Sequence, residues 1–423
     1  MIKVCWLSSC IFSDEPIRAT GTWLKPLADG LVRSGEVELY NITRDFSAHT
    51  ERQTTASGIR QWILPNYRYG QGLLLDHEPR QVCQRIRAIL DEIRPDVVHI
   101  WGTEFKWTSV YTQGYIPYPT FIDMQGVLSY YAPAYYADLM GKERQAVAWS
   151  WSDLKHWRKS HLYKHWEMER RSRVEQEHLP LFPFISVQSR YMEQCIHSLA
   201  PQSQQLHTGI ILRPEFHKAA GSWRPVSHPV IFACAGTFCL PYKGLHVLLR
   251  ALGQLINQYP DIELHIGGER LDLQHPTDGY TRHLAQLVHQ LGIDAHLRWL
   301  GPLDAQGIIS EMLQSQLCVV PSFIETYCLS MAEAMMVGLP CIAARAAALP
   351  ELATDGEEAL YYEPSDAENL ARHMEHLLSD AALAQKLSRG ATQRRLAANV
   401  PDRIIQQQIA NYHRVIDEWP ARK

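Results

Sequence analysis

Residues 321–340 read P-S-F-I-E-T-Y-C-L-S-M-A-E-A-M-M-V-G-L-P, with Glu325 and Glu333 separated by seven residues. The apolar run 317–321 reads as a buried strand, and 329–337 reads as a helix. Gly338 is placed to cap that helix, and Pro340 prevents its continuation. Leucine, methionine, alanine and valine clothe the helix on every side, which marks it as buried. Glu333 is its one ionisable residue, and a buried carboxylate is costly unless something hydrogen-bonds to it. Hydroxyls of a sugar or a ribose would meet that need. Glu325 precedes the helix, close to where the amides of Cys328 and Leu329 open it. Free amide donors and the helix dipole favour an anion, typically phosphate. A phosphate site flanked by two hydroxyl-seeking carboxylates suits a nucleotide sugar. Without a ligand, the same residues would be a loop carboxylate and a capped core helix of an ordinary α/β domain.

Pro321, Ser322, Glu325, Leu329, Glu333, Ala334, Met335, Gly338 and Pro340 match a longer pattern: P-S-x-x-E, then F-G-L, then E-A-M-A-x-G-x-P. In this the chain resembles the family 4 retaining glycosyltransferases of the GT-B fold. The resemblance implies an α/β protein with two Rossmann-like, doubly wound lobes facing a central cleft. It implies that Glu333 holds the nucleotide ribose and Glu325 the hydroxyls of the donor sugar. It further implies that the loop 326–329, Thr326, Tyr327, Cys328 and Leu329, contributes to donor binding, with amides near Cys328 and Leu329 holding the distal phosphate.

A chain of 423 residues is long enough for two domains. No apolar stretch reaches the length of a membrane span. The start, M-I-K-V-C-W-L-S-S, reads as a first strand and not as a signal peptide. Nine cysteines without C-x-x-C or zinc spacing read as free thiols in a reducing compartment. A net charge of −4 offers no electrostatic case for nucleic acid. The expectation is a cytoplasmic protein, with peripheral contact to the inner membrane face as an option.

Strand-like and helical runs alternate throughout, as in doubly wound sheets. Strands are expected at 3–7, 97–101, 120–124 and 184–188, then at 230–234, 263–266, 296–300, 317–320, 341–343 and 360–362. The expected division is a first, acceptor-binding domain at 1–217, a linker at 218–229, and a nucleotide-sugar domain at 230–400. In the resembling family the last helix crosses back to the first domain, and the amphipathic helix from Pro401 onward, within 401–423, is the candidate to do the same.

Lys243 lies in A-G-T-F-C-L-P-Y-K-G, where a strand ends and Lys243-Gly244 opens a helix. A cation sits badly at the positive end of a helix, which argues against a merely solvated lysine. The family pattern has G-R-L before K-G, with Arg and Lys neutralising the leaving diphosphate. Here Thr237 follows Gly236 in place of the Arg, and Arg270, in the turn G-G-E-R, is the candidate second cation. Gly21-Thr22 corresponds either to the family's phosphate-approaching glycine loop or to a simple turn. Glu104 and Gln125 are candidate acceptor contacts, the latter where many members carry His-Gly. His99 reads as packed in its strand. Ala347-Ala348 replace the family's Gly-Gly.

Residues 149–173 hold four of the chain's 12 tryptophans among lysines and arginines. Two readings stand: a surface for a lipid-linked acceptor or the anionic membrane face, or a solvated helix with its tryptophans turned inward. The combined expectation is a retaining, metal-independent glycosyltransferase. It would move a sugar from a nucleotide diphosphate donor to a glycan or lipid-linked acceptor, as in capsule or exopolysaccharide assembly. No cofactor is expected; Lys243 and helix dipoles would neutralise the phosphates. The competitors are a catalytically silent binding lobe and a nucleotide-sugar epimerase of the same architecture. No G-x-G-x-x-G follows the first strand, which excludes a dinucleotide oxidoreductase.

Overall fold

Each sheet is built around the strands with the longest apolar runs. A computed structural model describes residues 1–14, 23–65, 76–103, 105–150, 153 and 157–420. It divides into two units: Met1–Ser129 with Arg170–Ile211 and Asn399–Lys423, and Tyr130–Glu169 with Leu212–Ala398.

The first unit's strands are β1 (Ile2–Leu7), β2 (Val37–Asp45), β3 (Arg52–Ala56), β4 (Ile59–Pro65), β5 (Val97–Trp101), β6 (Thr120–Asp123), β7 (Phe184–Val187) and β8 (Gln204–His207). They lie in the order β3-β4-β2-β1-β5-β6-β7-β8, with β1 and β5 in the middle. Every pairing is parallel except β3 with β4. Periodicity finds β1, β5, β6 and β7; the other four escape it for physical reasons. In β2, Asn41 and Thr43 are buried and interrupt the apolar run, Asn41 being satisfied by Ser8 Oγ at 2.8 Å and the Cys10 carbonyl at 2.9 Å. Most of β3 is exposed, so it is polar on both faces, as an edge strand should be.

The helix Pro401–Asp417 belongs to this unit. Ile404, Ile405, Ile409, Tyr412 and Val415 join the core around β1. Trp6 Nε1 donates to the Tyr412 hydroxyl at 3.0 Å, which satisfies both buried polar groups.

The second unit carries β9 (Val230–Cys234), β10 (Glu263–Gly267), β11 (Leu297–Gly301), β12 (Leu317–Val320), β13 (Cys341–Ala344) and β14 (Leu360–Tyr362). The sheet runs β11-β10-β9-β12-β13-β14, all parallel. Parallel strands covered on both faces are near-continuously apolar, as β9, β12 and β13 are; β10 and the edge strand β11, which carry Glu263, His265 and Arg298, also lie at their expected places.

The boundaries differ from the sequence reading in two respects. The stretch 218–229 is not a free linker: Trp223 is buried, its Nε1 donating to the Ser315 carbonyl at 2.8 Å, and its backbone amide meets Val337. Residues 130–169, expected in the first domain, pack with the second unit. Asp138 Oδ1 lies 2.6 Å from His246 Nε2, whose Nδ1 lies 2.7 Å from the Tyr280 hydroxyl. The Tyr135 hydroxyl lies 2.9 Å from His161 Nδ1, whose Nε2 lies 2.8 Å from Asp278 Oδ1. Asp278 also caps the helix Gly279–Leu291, and a Cβ on Gly279 would fall 2.0 Å from the Val147 carbonyl oxygen. Only glycine permits that approach. The side chains of Trp149, Trp157 and Trp166 are exposed rather than turned inward, while Trp151 and Lys155 lie outside the described residues. No helix among the described residues is long and apolar enough to cross a membrane.

Candidate functional site

In the second sheet the chain runs outward from β9 in both directions, to β10 on one side and β12 on the other. Ligands of open parallel sheets bind at the carboxyl ends of the strands at such a switch point. The loops that leave β9 and β12 there are residues 235–244 and 321–328, the two stretches the sequence singles out.

Gly244 joins these loops. It has φ +71°, and a Cβ on it would lie 1.9 Å from the Pro321 carbonyl oxygen. The close approach puts Lys243 Nζ 2.6 Å from Glu325 Oε1, with both side chains mostly buried. Burial alone would lower the Lys243 pKa. The Glu325 carboxylate outweighs it, helped by Tyr131 and Tyr242, and holds the pKa above the ordinary lysine value.

Beyond Glu325 the chain reaches Cys328, in the left-handed region at φ 81°, ψ 83°, and enters the helix Leu329–Val337. A non-glycine residue held there is strained, and such strain clusters at functional turns. Gly338 ends the helix at φ 94°. Glu333 is buried as the sequence requires, but its partner is a residue the motif does not contain. Arg213 Nε donates to Oε1 at 2.8 Å and Nη2 to Oε2 at 2.7 Å, a fork-to-fork pair. Burial pushes the Glu333 carboxyl above the usual range, and the Arg213 guanidinium pulls it back. The guanidinium also lies 4.6 Å from the centre of the Phe216 ring. The signal available was indirect: a buried carboxylate demands a cation, and Arg213 interrupts the apolar run 210–212.

The other candidates fall into three groups. Thr326 is buried and Tyr327 is half-buried. Thr237 Oγ1 donates to Glu269 Oε2 at 2.8 Å, which places Thr237 beside the turn that bears the exposed Arg270. That turn touches the 235–237 loop through the Glu269 amide, 3.3 Å from the Gly236 carbonyl. Gln125 lies in the first unit, two residues beyond β6; Gly21, Thr22 and Glu104 lie outside the described residues. His99 is fully buried in β5, stacked 4.1 Å from Phe121 with Nδ1 3.2 Å from the Tyr412 hydroxyl. Burial holds its pKa well below the ordinary histidine value, as befits a packing residue. Ala347 keeps a left-handed backbone at φ 48°, although it carries a methyl group.

Residues 224–394 match a family model described as glycosyl transferases group 1. D-inositol 3-phosphate glycosyltransferase of Corynebacterium kroppenstedtii is 31% identical over 142 residues, covering 33% of this chain and 30% of that protein. The MMP alpha-(1->4)-mannosyltransferase of Mycolicibacterium hassiacum is 28% identical over 178 residues, covering 42% and 41%. The chain thus spans less than half the length of these curated relatives. Sucrose-phosphate synthase of Thermosynechococcus elongatus superposes with a TM-score of 0.73 at 18% identity, over 99% of this chain and 100% of that one. Anabaena HepE, solved in complex with UDP and glucose, gives 0.64 at 15% identity, over 98% and 100%. At these identities the likeness is one of fold.

Proposed function

We propose that this chain, which belongs to the group 1 glycosyltransferases through residues 224–394 and has the GT-B fold, transfers a sugar from a nucleotide diphosphate donor. The observation that carries the reading is the Lys243–Glu325 pair at 2.6 Å, at the mouth of the helix that bears Glu333. Lys243 and the open end of Leu329–Val337 would bind the diphosphate and neutralise it as it leaves. Glu325 would accept hydroxyls of the sugar, and Glu333 those of the ribose. Thr326, Tyr327, Cys328 and Leu329 line the diphosphate end, and Thr237 and Arg270 serve the nucleotide. Gln125 is assigned to the acceptor.

The transfer proceeds with retention. The bond from the anomeric carbon to the phosphate oxygen breaks, and a bond to the acceptor oxygen forms on the same face. The acceptor's proton passes to the leaving phosphate, so no enzymic base is required. No metal is needed, because the charge of the leaving group is met by Lys243 and by helix amides. The acceptor is a glycan or a lipid-linked saccharide of cell-surface polysaccharide synthesis, met at the membrane face through the exposed tryptophans of 149–166.

A binding screen of UDP-, GDP- and ADP-sugars, followed by hydrolysis of the best donor with chelator present, tests the reading. Donor turnover that survives chelation supports it. Absence of any nucleotide binding would favour a silent lobe of the same fold.

A further inference from the structure

Arg213 holds Glu333 in a way that leaves half of its acceptor capacity open. An ionised carboxylate has about four lone-pair sites on its two oxygens. Arg213 takes two of them, with Nε 2.8 Å from Oε1 and Nη2 2.7 Å from Oε2. One site on each oxygen is left for a further donor. A ribose offers two adjacent hydroxyls of that kind, and a 2′,3′-dideoxyribose offers neither.

The guanidinium is fixed in its turn. Pro214 disfavours helical backbone for the residue before it, and Arg213 sits at φ −56°, ψ 141°, where the helix Pro214–Lys218 begins. That helix carries the buried Phe216, whose ring lies under the guanidinium at 4.6 Å, so the face of the fork is packed while its edge meets the carboxylate. The segment that follows is laced to the helix that bears Glu333. The Gly221 amide donates to the Met336 carbonyl and the Trp223 amide to the Val337 carbonyl, each at 3.0 Å. Both partners of the fork thus belong to the second unit and stand on backbone that is tied together.

We infer that Arg213 is a positioning residue that sets the nucleotide specificity of this site: by fixing the Glu333 carboxylate it makes the site select ribonucleotides over deoxyribonucleotides. It lies outside the matched region 224–394. The inference rests on the reading of Glu333 as the ribose-binding carboxylate. Without the guanidinium, burial favours the protonated carboxyl, which gives up acceptor capacity to its own O–H. The other titratable groups around Glu333 do not replace the cation. Glu215 carries negative charge, and burial pushes the Cys234 thiol, at the end of β9, up to about 12.

The test compares a ribonucleoside diphosphate with its 2′,3′-dideoxy counterpart by calorimetric titration, using whichever of UDP, GDP and ADP binds the wild type. The wild type should prefer the ribonucleotide by about ten- to hundredfold, the worth of hydrogen bonds to a charged acceptor. Arg213→Gln should bring that preference to within about threefold at neutral pH. The preference should return as pH rises through the raised Glu333 pKa, which ionises the carboxylate again. In the wild type the guanidinium opposes the rise in pKa, so the same recovery falls at lower pH. The phosphates titrate alike in both nucleotides and cancel in the ratio. A merely structural role weakens both ligands together and leaves the ratio unmoved at every pH. Arg213→Lys keeps a charge beside the buried carboxylate but not the fork, and should lose about three- to tenfold of the preference. It decides the matter if melting shows that Arg213→Gln does not fold. Wild-type preference in a folded Arg213→Gln, or failing that in Arg213→Lys, overturns the inference. Glu333→Gln separates this from the premise. If the wild type shows no preference, or Glu333→Gln keeps it, the ribose reading of Glu333 fails; if Glu333→Gln loses it while the Arg213 variants keep it, only the role of Arg213 falls. If none of the three nucleotides binds, the donor-site reading fails as a whole.

Discussion

Glu325 and Glu333 stand eight residues apart and each meets one cation, yet the two pairs are built differently. Lys243 meets Glu325 through a single contact of 2.6 Å in a loop, between side chains 19% and 13% exposed. Arg213 grips both oxygens of Glu333 on a buried helix, with 15% and 7% exposed. A lysine is a point charge on a flexible stem and can turn to a phosphate; an arginine fork holds a carboxylate in one orientation. The loop pair is suited to exchange partners when a ligand arrives. The helix pair is suited to keep a carboxylate ionised inside the protein.

The largest effect should come from breaking the helix pair. Arg213→Met leaves Glu333 buried without its partner, and the expected loss is about 3–5 kcal/mol of stability, read by denaturant titration. The same variant has a pH signature. Burial raises the Glu333 pKa in the folded state, so the folded protein holds the proton where the unfolded chain has released it. Stability therefore falls as pH rises from the usual carboxylate value through the raised one. Loss of Arg213 widens that window upward, so the deficit against wild type should shrink on acidification. A deficit that is flat with pH would mean that packing, not charge, makes the pair matter.

Breaking the loop pair should cost less stability and more binding. Lys243→Ala is expected to weaken nucleoside diphosphate binding by about ten- to hundredfold, the worth of a charge-assisted hydrogen bond of about 1.5–3 kcal/mol. Calorimetric titration measures it, and an unchanged affinity would place the phosphates elsewhere.

The carboxylates themselves sharpen the contrast. Glu333→Gln should raise the dissociation constant of the bare nucleotide. Glu325→Gln should leave that constant nearly unchanged and slow turnover of the full donor. Equal loss of nucleotide affinity in both variants would erase the division of roles. The smallest effect belongs to the backbone on the Glu325 side, where the Ala348 amide donates to the Glu325 carbonyl at 3.0 Å. Ala347 precedes it in the left-handed region, so Ala347→Gly should stabilise the protein by about 0.5–1 kcal/mol, visible as a higher melting temperature.

The same contrast explains what could be read in advance. Glu325, Lys243 and Gly244 sit in short motifs next to apolar strands, and local pattern is enough to place them. Arg213 is 120 residues from Glu333 and Asp138 is 108 from His246. Neither pairing leaves a periodic trace in the chain. In the first sheet, β2 escapes a reading of apolar runs because Asn41 and Thr43 are buried, where such a reading takes polar residues for surface. His99 could be set aside as a base from its strand alone, but its hydroxyl neighbour, Tyr412, comes from the last helix.

Sequence by itself determined the alternation of strands and helices, the apolar helix with a single carboxylate, and the glycine that lets two loops meet. These depend on local periodicity and on backbone sterics, which neighbouring residues settle among themselves. Only the tertiary structure decided that residues 130–169 fold with the second unit and that Arg213 neutralises Glu333. Those outcomes come from buried polar groups finding partners across long stretches of chain, and the choice of partner exists only once the chain has closed around them.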